Sequence, residues 1–180
     1  MTAASVVARA DADSEGLELA VGDIVVYASH GIGRITAVST ARRWQIDGVV
    51  WSGGSLTVTL PIDLARERLR PLSDEDHLAV VARTLRTEEP PSEQPWAKRL
   101  KETREKLASG RADGLAEIVR AGAQRERDAL TTGKSGASPN DRALYLKARQ
   151  LLIDEISLAR TIEAADADLW IDTQLTADAR

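Results

Sequence analysis

Val21-Gly-Asp-Ile-Val-Val-Tyr-Ala-Ser-His-Gly-Ile-Gly-Arg-Ile35 decides how the first part of the chain folds. Within it, Asp23-Ile-Val-Val-Tyr27 is a short β-branched run, and strand character resumes from Ile32 to Val38 after Gly31 and Gly33. Gly31-Ile-Gly33 has the first two glycines of a dinucleotide fingerprint, but position 36 is Thr and strand signals follow where a helix is needed. It reads as a tight turn between strands. Working outward, Gly48-Val-Val-Trp51 is another such run, and Gly53-Gly54 supplies a turn. Ser55-Leu-Thr-Val-Thr-Leu60 then alternates apolar and hydroxyl residues, the pattern of a half-buried strand. Several short strands between residues 19 and 72 predict a small, strongly bent sheet or barrel of SH3 or Tudor type. Upstream, residues 1–16 are rich in Ala, Asp and Ser without periodicity and read as a mobile tail.

After Pro71 the period becomes helical. Ser73-Asp-Glu-Asp76 looks like an N-cap with acids in the first turn, and Leu78, Val81 and Leu85 follow on one face. Residues 88–95 contain Pro90, Pro91 and Pro95 and read as a linker loop. Helices are expected at about 96–108, stopping at Gly110, and at about 113–130 with Leu115, Ile118 and Val119 inward. Residues 131–137 form a Gly/Ser/Thr loop. Ser138-Pro-Asn-Asp141 then sets an N-cap, a proline at the first helical position and an acid at the third. The helix it opens carries Leu144, Ala148, Leu151, Leu152, Ile156 and Ala159, and a last short helix holds Leu169 and Trp170. The expected class is two-domain α+β: a tail at 1–16, a small Tudor/SH3-like β domain at 17–72, and an all-α helical bundle at 73–180.

Composition narrows the function. There are no cysteines, which excludes a disulfide scaffold, a thiolate zinc site and a cysteine nucleophile. Two histidines, His30 and His77, leave little material for a metal centre or a histidine base. No apolar run approaches the roughly 20 residues that span a bilayer, and residues 1–9 lack a basic segment followed by a long apolar one. A soluble cytoplasmic protein, monomeric and without membrane contact, is expected. The net charge of −4 conceals segregation. Residues 1–95 hold 9 basic and 14 acidic side chains, residues 96–149 hold 13 and 7, and residues 150–180 hold 2 and 7. The central island has two readings, a solvated helical surface laced with ion pairs or a nucleic-acid footprint, and charge alone favours the first.

No catalytic constellation emerges. Ser29 and His30 are adjacent, so on an extended chain their side chains point to opposite faces. His77 sits in an acidic helix start, and Glu88-Glu89 lies in a proline-rich loop without a cleft. No enzyme, cofactor or metal is expected. Trp96 is more informative. Helical spacing puts Trp96, Leu100, Thr103 and Leu107 on one stripe, which favours an ordinary core tryptophan. Against that, a first-turn residue behind a proline loop lies at the edge of a bundle. An exposed apolar wedge beside Lys98, Arg99 and Lys101 suits a protein that unstacks a base step while holding phosphates.

Taken together, the quoted residues 21–35, Leu56-Thr-Val-Thr-Leu-Pro61 and Leu69-Arg-Pro-Leu72 resemble the CarD/CdnL family of bacterial RNA polymerase-binding transcription regulators. So do Thr87-Glu-Glu-Pro90, Trp96-Ala-Lys-Arg-Leu-Lys101, Glu105-Lys-Leu-Ala-Ser-Gly110 and Leu146-Lys-Ala-Arg-Gln-Leu-Leu152, in the same order and in both halves. The resemblance implies a Tudor-like domain that docks on the lobe of the polymerase β subunit. It also implies a helical domain that touches promoter DNA at the upstream edge of the transcription bubble. There a tryptophan at the position of Trp96 wedges into the minor groove and hinders bubble closure, while Lys98, Arg99, Lys101, Arg142 and Lys147 match the backbone-holding positions.

Two departures accompany the match. Where relatives carry polymerase-contacting arginines, this chain has Ala41 and Thr59, with Arg42 and Arg43 nearby; and residues 90–96 form a longer loop. Small sheets expose edge strands, so the polymerase contact is expected along Leu56, Val58, Thr59 and Leu60 together with the 42–51 segment. The alternative is an adaptor that uses the β domain for protein binding and never engages DNA.

Overall fold

A computed structural model of the 180-residue chain describes residues 20–39, 43–50, 54–88, 94–133 and 138–177. The expected tail at 1–16, Ala41, Arg42, Trp51 and the Pro90–Pro91 pair lie outside the described residues. Strands β1 (Ile24–Tyr27), β2 (Gly31–Ser39), β3 (Arg43–Val50), β4 (Gly54–Pro61) and β5 (Leu69–Pro71) make one antiparallel sheet in the order β4-β3-β2-β1-β5. Alternation along these strands sends Val25, Ile35, Leu60 and Leu69 into a small core, joined by Ala65. A register shift between Ile35 and Ala37 marks a bulge in β2 that adds to the bend of so short a sheet. The result is the bent β unit expected from the sequence.

Local details differ from the sequence reading. The turn between β1 and β2 is not Gly31–Gly33 but a single 3-10 turn, Ala28–His30. Gly31 opens β2 with φ 97° and pairs with Tyr27, while Gly33 lies within the strand opposite Val25 and Gly48. A left-handed φ costs a glycine little, so it accepts the chain as it leaves the turn. Ser29 and His30 therefore sit in a turn and not on an extended strand, and the His30 ring stacks on Tyr27 with centroids 4.5 Å apart. Between β4 and β5 the chain forms α1 (Ile62–Arg68), a seven-residue helix within the stretch read as wholly β.

The helical half follows as α2 (Glu75–Arg86), α3 (Trp96–Ser109), α4 (Ala112–Thr132), α5 (Pro139–Arg160) and α6 (Ala164–Thr176). Asp74, one residue past the expected Ser73, caps α2 by accepting the His77 amide at 2.9 Å. Ser138 caps α5 by accepting the Asp141 amide at 3.2 Å, behind Pro139 in the first turn. One core joins the inward faces: Leu78, Val81 and Leu85 of α2, Leu115, Ile118 and Val119 of α4, Leu151, Leu152 and Ile156 of α5, and Ile171 of α6. Leu169 instead stays exposed, and Trp170 is partly buried with the Arg160 guanidinium 4.7 Å above its ring. This is the small Tudor-like sheet followed by an all-α bundle, each with its own core.

The two units meet at a polar clasp. Glu155, 1% exposed, accepts from Arg70 Nη1 and Nη2 at 2.5 and 2.7 Å and from Ser73 Oγ at 2.6 Å. Arg70 also donates to the Gly110 carbonyl, from Nε at 3.0 Å and Nη2 at 2.7 Å. Gly110 ends α3 in the left-handed region at φ 63°, pressed against the β1–β2 turn so closely that an added Cβ would lie 2.3 Å from Ala28 Cα. The corner between α3 and α4 is thus seated on the sheet at two points.

Candidate functional site

At the opposite end of α3 stands Trp96. Pro95 presets the backbone for the first turn, and its carbonyl accepts the Lys98 and Arg99 amides at 3.0 and 3.2 Å. Farther along the same stripe Leu100 and Leu107 are buried, but Trp96 is 47% exposed, so the core assignment that spacing favours does not hold at the first turn. Its indole Nε1 donates to Asp141 Oδ2 at 3.3 Å. Asp141 is 7% exposed and belongs to the first turn of α5, where Ser138 Oγ also donates to its Oδ2 at 2.9 Å. Two helix N-termini are thereby tied together with the indole between them.

Positive charge surrounds this pair. Lys98 and Lys101 are exposed and face Glu102 and Glu105 one turn on, at 4.0 and 3.8 Å. Such exposed pairs contribute little and leave both ammonium groups available to another anion. Arg99 is partly buried, and its Nε has no hydrogen-bond partner among the described residues. Arg125 of α4 is a neighbour: burial, and then the like charge of Arg99, lower its pKa from the ordinary value, while Asp141 opposes the shift. Arg142 is exposed beside Asp141. Thus Trp96, Lys98, Arg99 and Lys101 share the first turns of α3, and the Trp96–Asp141 bond brings that helix start to the first turn of α5, which carries Arg142. Lys147 does not join them as directly: it lies about 240° around α5 from Asp141, is partly buried and already has an interaction partner. Asp141 and Arg125 were missed as site residues. The sequence marked Asp141 only as a capping-turn acid, and nothing local marks Arg125.

The expected docking residues lie on the sheet. β4 is an edge of the sheet, as strand addition requires, whereas β3 is paired on both sides by β2 and β4. Main-chain addition at Arg43 and along the rest of the 43–50 segment is therefore closed, so a contact there would run through side chains. Along the edge Thr57 and Thr59 are exposed and Val58 is partly buried. Leu60 is 6% exposed, so its side chain serves the core and only its main chain lies on the edge. Leu56 contributes backbone to the same strand. Elsewhere, His77 is exposed with Nδ1 2.6 Å from Asp74 Oδ1, and Glu88 is exposed. Among the described residues no group of His, Asp and Glu is arranged to hold a metal, and no helix is long and apolar enough to cross a membrane.

Two protein-family models match the chain: the CarD C-terminal domain over residues 80–172 and the CarD-like/TRCF RID domain over residues 19–72. The first alone covers more than half of the chain, and the two occur in the order of the helical bundle and sheet just described. The chain belongs to the CarD family. CarD domains of these two kinds point to a transcription-associated regulator that interacts with RNA polymerase, and CarD-family domains are non-enzymatic. The residues that carry the likeness in the sequence, from 21–35 to 146–152, all fall within the matched ranges.

Proposed function

We propose that residues 17–72 dock on the RNA polymerase β subunit and that residues 73–180 present Trp96 to promoter DNA at the upstream edge of the bubble, stabilising the open complex. The observation that carries this reading is the half-exposed Trp96 at the start of a helix whose first turns carry Lys98, Arg99 and Lys101. An aromatic face has apolar bulk to offer a base step already unstacked by polymerase, and flanking cations hold the phosphates. The clasp at Arg70, Glu155 and Gly110 supports it, because a wedge that must reach a fork from a docked sheet needs a fixed offset. DNA contact here is through backbone and minor groove, with slight sequence preference, and the protein acts as a cytoplasmic monomer.

The test separates the two ends of the molecule. Thr59→Lys blocks strand addition at the β4 edge without removing a core side chain, and Val58→Pro removes a main-chain donor. Both are expected to abolish capture of polymerase, whereas Trp96→Ala retains capture and loses promoter opening, read as permanganate reactivity of upstream thymines. The adaptor reading is favoured by the acidic partners of Lys98 and Lys101. It wins if Trp96→Ala leaves promoter opening unchanged.

A further inference from the structure

We infer that Asp141 is a positioning residue for the Trp96 wedge: its carboxylate holds the indole by the Nε1–H and so fixes which edge of the ring faces outward. The inference rests on the wedge reading above and adds to it a residue that no basic-patch argument selects. The Trp96 ring is half exposed at a helix end, where solvent leaves room for rotation about its side-chain bonds. Its indole Nε1–H donates to Asp141 Oδ2 at 3.3 Å, across a separation of 45 residues.

Asp141 is placed for that task more than for capping. The α5 cap is completed by Ser138 Oγ, which accepts the Asp141 amide, so the carboxylate is not what satisfies the helix end. Instead Oδ2 takes the Ser138 hydroxyl at 2.9 Å, which immobilises it, and then accepts from Trp96. A buried carboxylate needs such donors, and its field also offsets part of the repulsion between Arg99 and Arg125. As an isolated charge it opposes DNA. Positioning and electrostatics therefore make opposite predictions for its removal, which gives the test its sign.

The full-length protein is assayed with polymerase holoenzyme on a promoter fragment, reading open-complex lifetime after competitor challenge. The variants are Asp141→Ala, Asp141→Asn and Trp96→Ala, and the isosteric benzothienylalanine at position 96, which keeps the ring and lacks the N–H. The expected result is that Asp141→Ala shortens the lifetime by about three- to tenfold, the loss of one hydrogen bond. Asp141→Asn, whose amide oxygen still accepts, is expected to restore most of it. Benzothienylalanine is expected to match Asp141→Ala, and the two together to be no worse than either alone. If Asp141→Ala does not fold, the benzothienylalanine protein decides the point: an unchanged lifetime there overturns the inference. A lifetime lengthened or unchanged by Asp141→Ala also overturns it and leaves Asp141 a charge that opposes DNA. Should Trp96→Ala itself have no effect, the wedge reading fails, and the inference with it, a result distinct from failure of the positioning role alone.

Discussion

Arg70, on the last strand of the sheet, grips both carboxylate oxygens of Glu155, on the longest helix of the bundle, at 2.5 and 2.7 Å. The pair spans 85 residues of sequence and is completed by Ser73 on one side and the Gly110 carbonyl on the other. It ties the sheet to the helical bundle.

Removing one partner of such a pair leaves the other buried and uncompensated. Arg70→Met is expected to destabilise the protein by about 3–5 kcal/mol, because Glu155 is left buried with only Ser73 to donate to it. Glu155→Gln, which retains hydrogen-bonding atoms, is expected to cost less. Urea unfolding of the two variants measures both.

Gly110 and Gly133 make a matched pair. Both end helices in the left-handed region, at φ 63° and 64°, but a Cβ at Gly133 meets nothing within 4 Å among the described residues, whereas one at Gly110 meets the Ala28 backbone at 2.3 Å. Gly133→Ala is expected to cost about 1 kcal/mol, the backbone penalty alone. Gly110→Ala adds displacement of the sheet and is expected to cost at least about 2 kcal/mol more, by analogy with core overpacking. Equal thermal shifts in the two variants would show that the seat at Ala28 yields freely.

Asp154 supplies a pH signature. Burial raises its pKa from the ordinary carboxylate value, against a hydrogen bond from Gln150 that lowers it. A carboxyl whose folded-state pKa is raised destabilises the fold at neutral pH, and that penalty fades as pH falls through the raised value. Asp154→Asn is thus expected to stabilise the protein at pH 7 by less than about 1 kcal/mol, since the site is partly solvated. The gain is expected to vanish below about pH 4, near the unfolded-state value. Chemical unfolding at the two pH values checks the sign.

The basic end predicts a salt slope. Contacts from Lys98, Arg99, Lys101 and Arg142 give binding to bare DNA that weakens with salt by a log–log slope of roughly −0.9 per phosphate contact. The triple variant Lys98→Ala, Arg99→Ala, Lys101→Ala is expected to flatten that slope and reduce affinity alike for all duplex sequences. Fluorescence anisotropy across a salt series measures it.

Much of this architecture is legible in the chain because its signals are local. Ser138, Pro139 and Asp141 announce α5, Gly110 ends α3, and the apolar spacing in α2, α4 and α5 names most of the buried residues. What escapes is either short or distant. α1 has seven residues, too few for a hydrophobic period to declare itself, and the β1–β2 turn uses Ala28 at φ 38°, which no turn preference selects. Glu155 lies on α5 among apolar neighbours, and only the fold reveals that Arg70 arrives to neutralise it. Likewise the basic cluster was visible, but the Trp96–Asp141 bond and the Arg99–Arg125 approach join separate helices and have no sequence signature.

The central claim is that Trp96 stabilises the open promoter complex while the sheet provides the attachment to polymerase. The direct measurement is the dissociation rate of open complexes after heparin challenge, at protein concentrations that saturate polymerase, for the wild-type chain and Trp96→Ala. The account predicts a several-fold slower dissociation with wild-type protein, and a return to the protein-free rate with Trp96→Ala despite equal occupancy of polymerase. Equal dissociation rates for the two proteins at equal occupancy would contradict it.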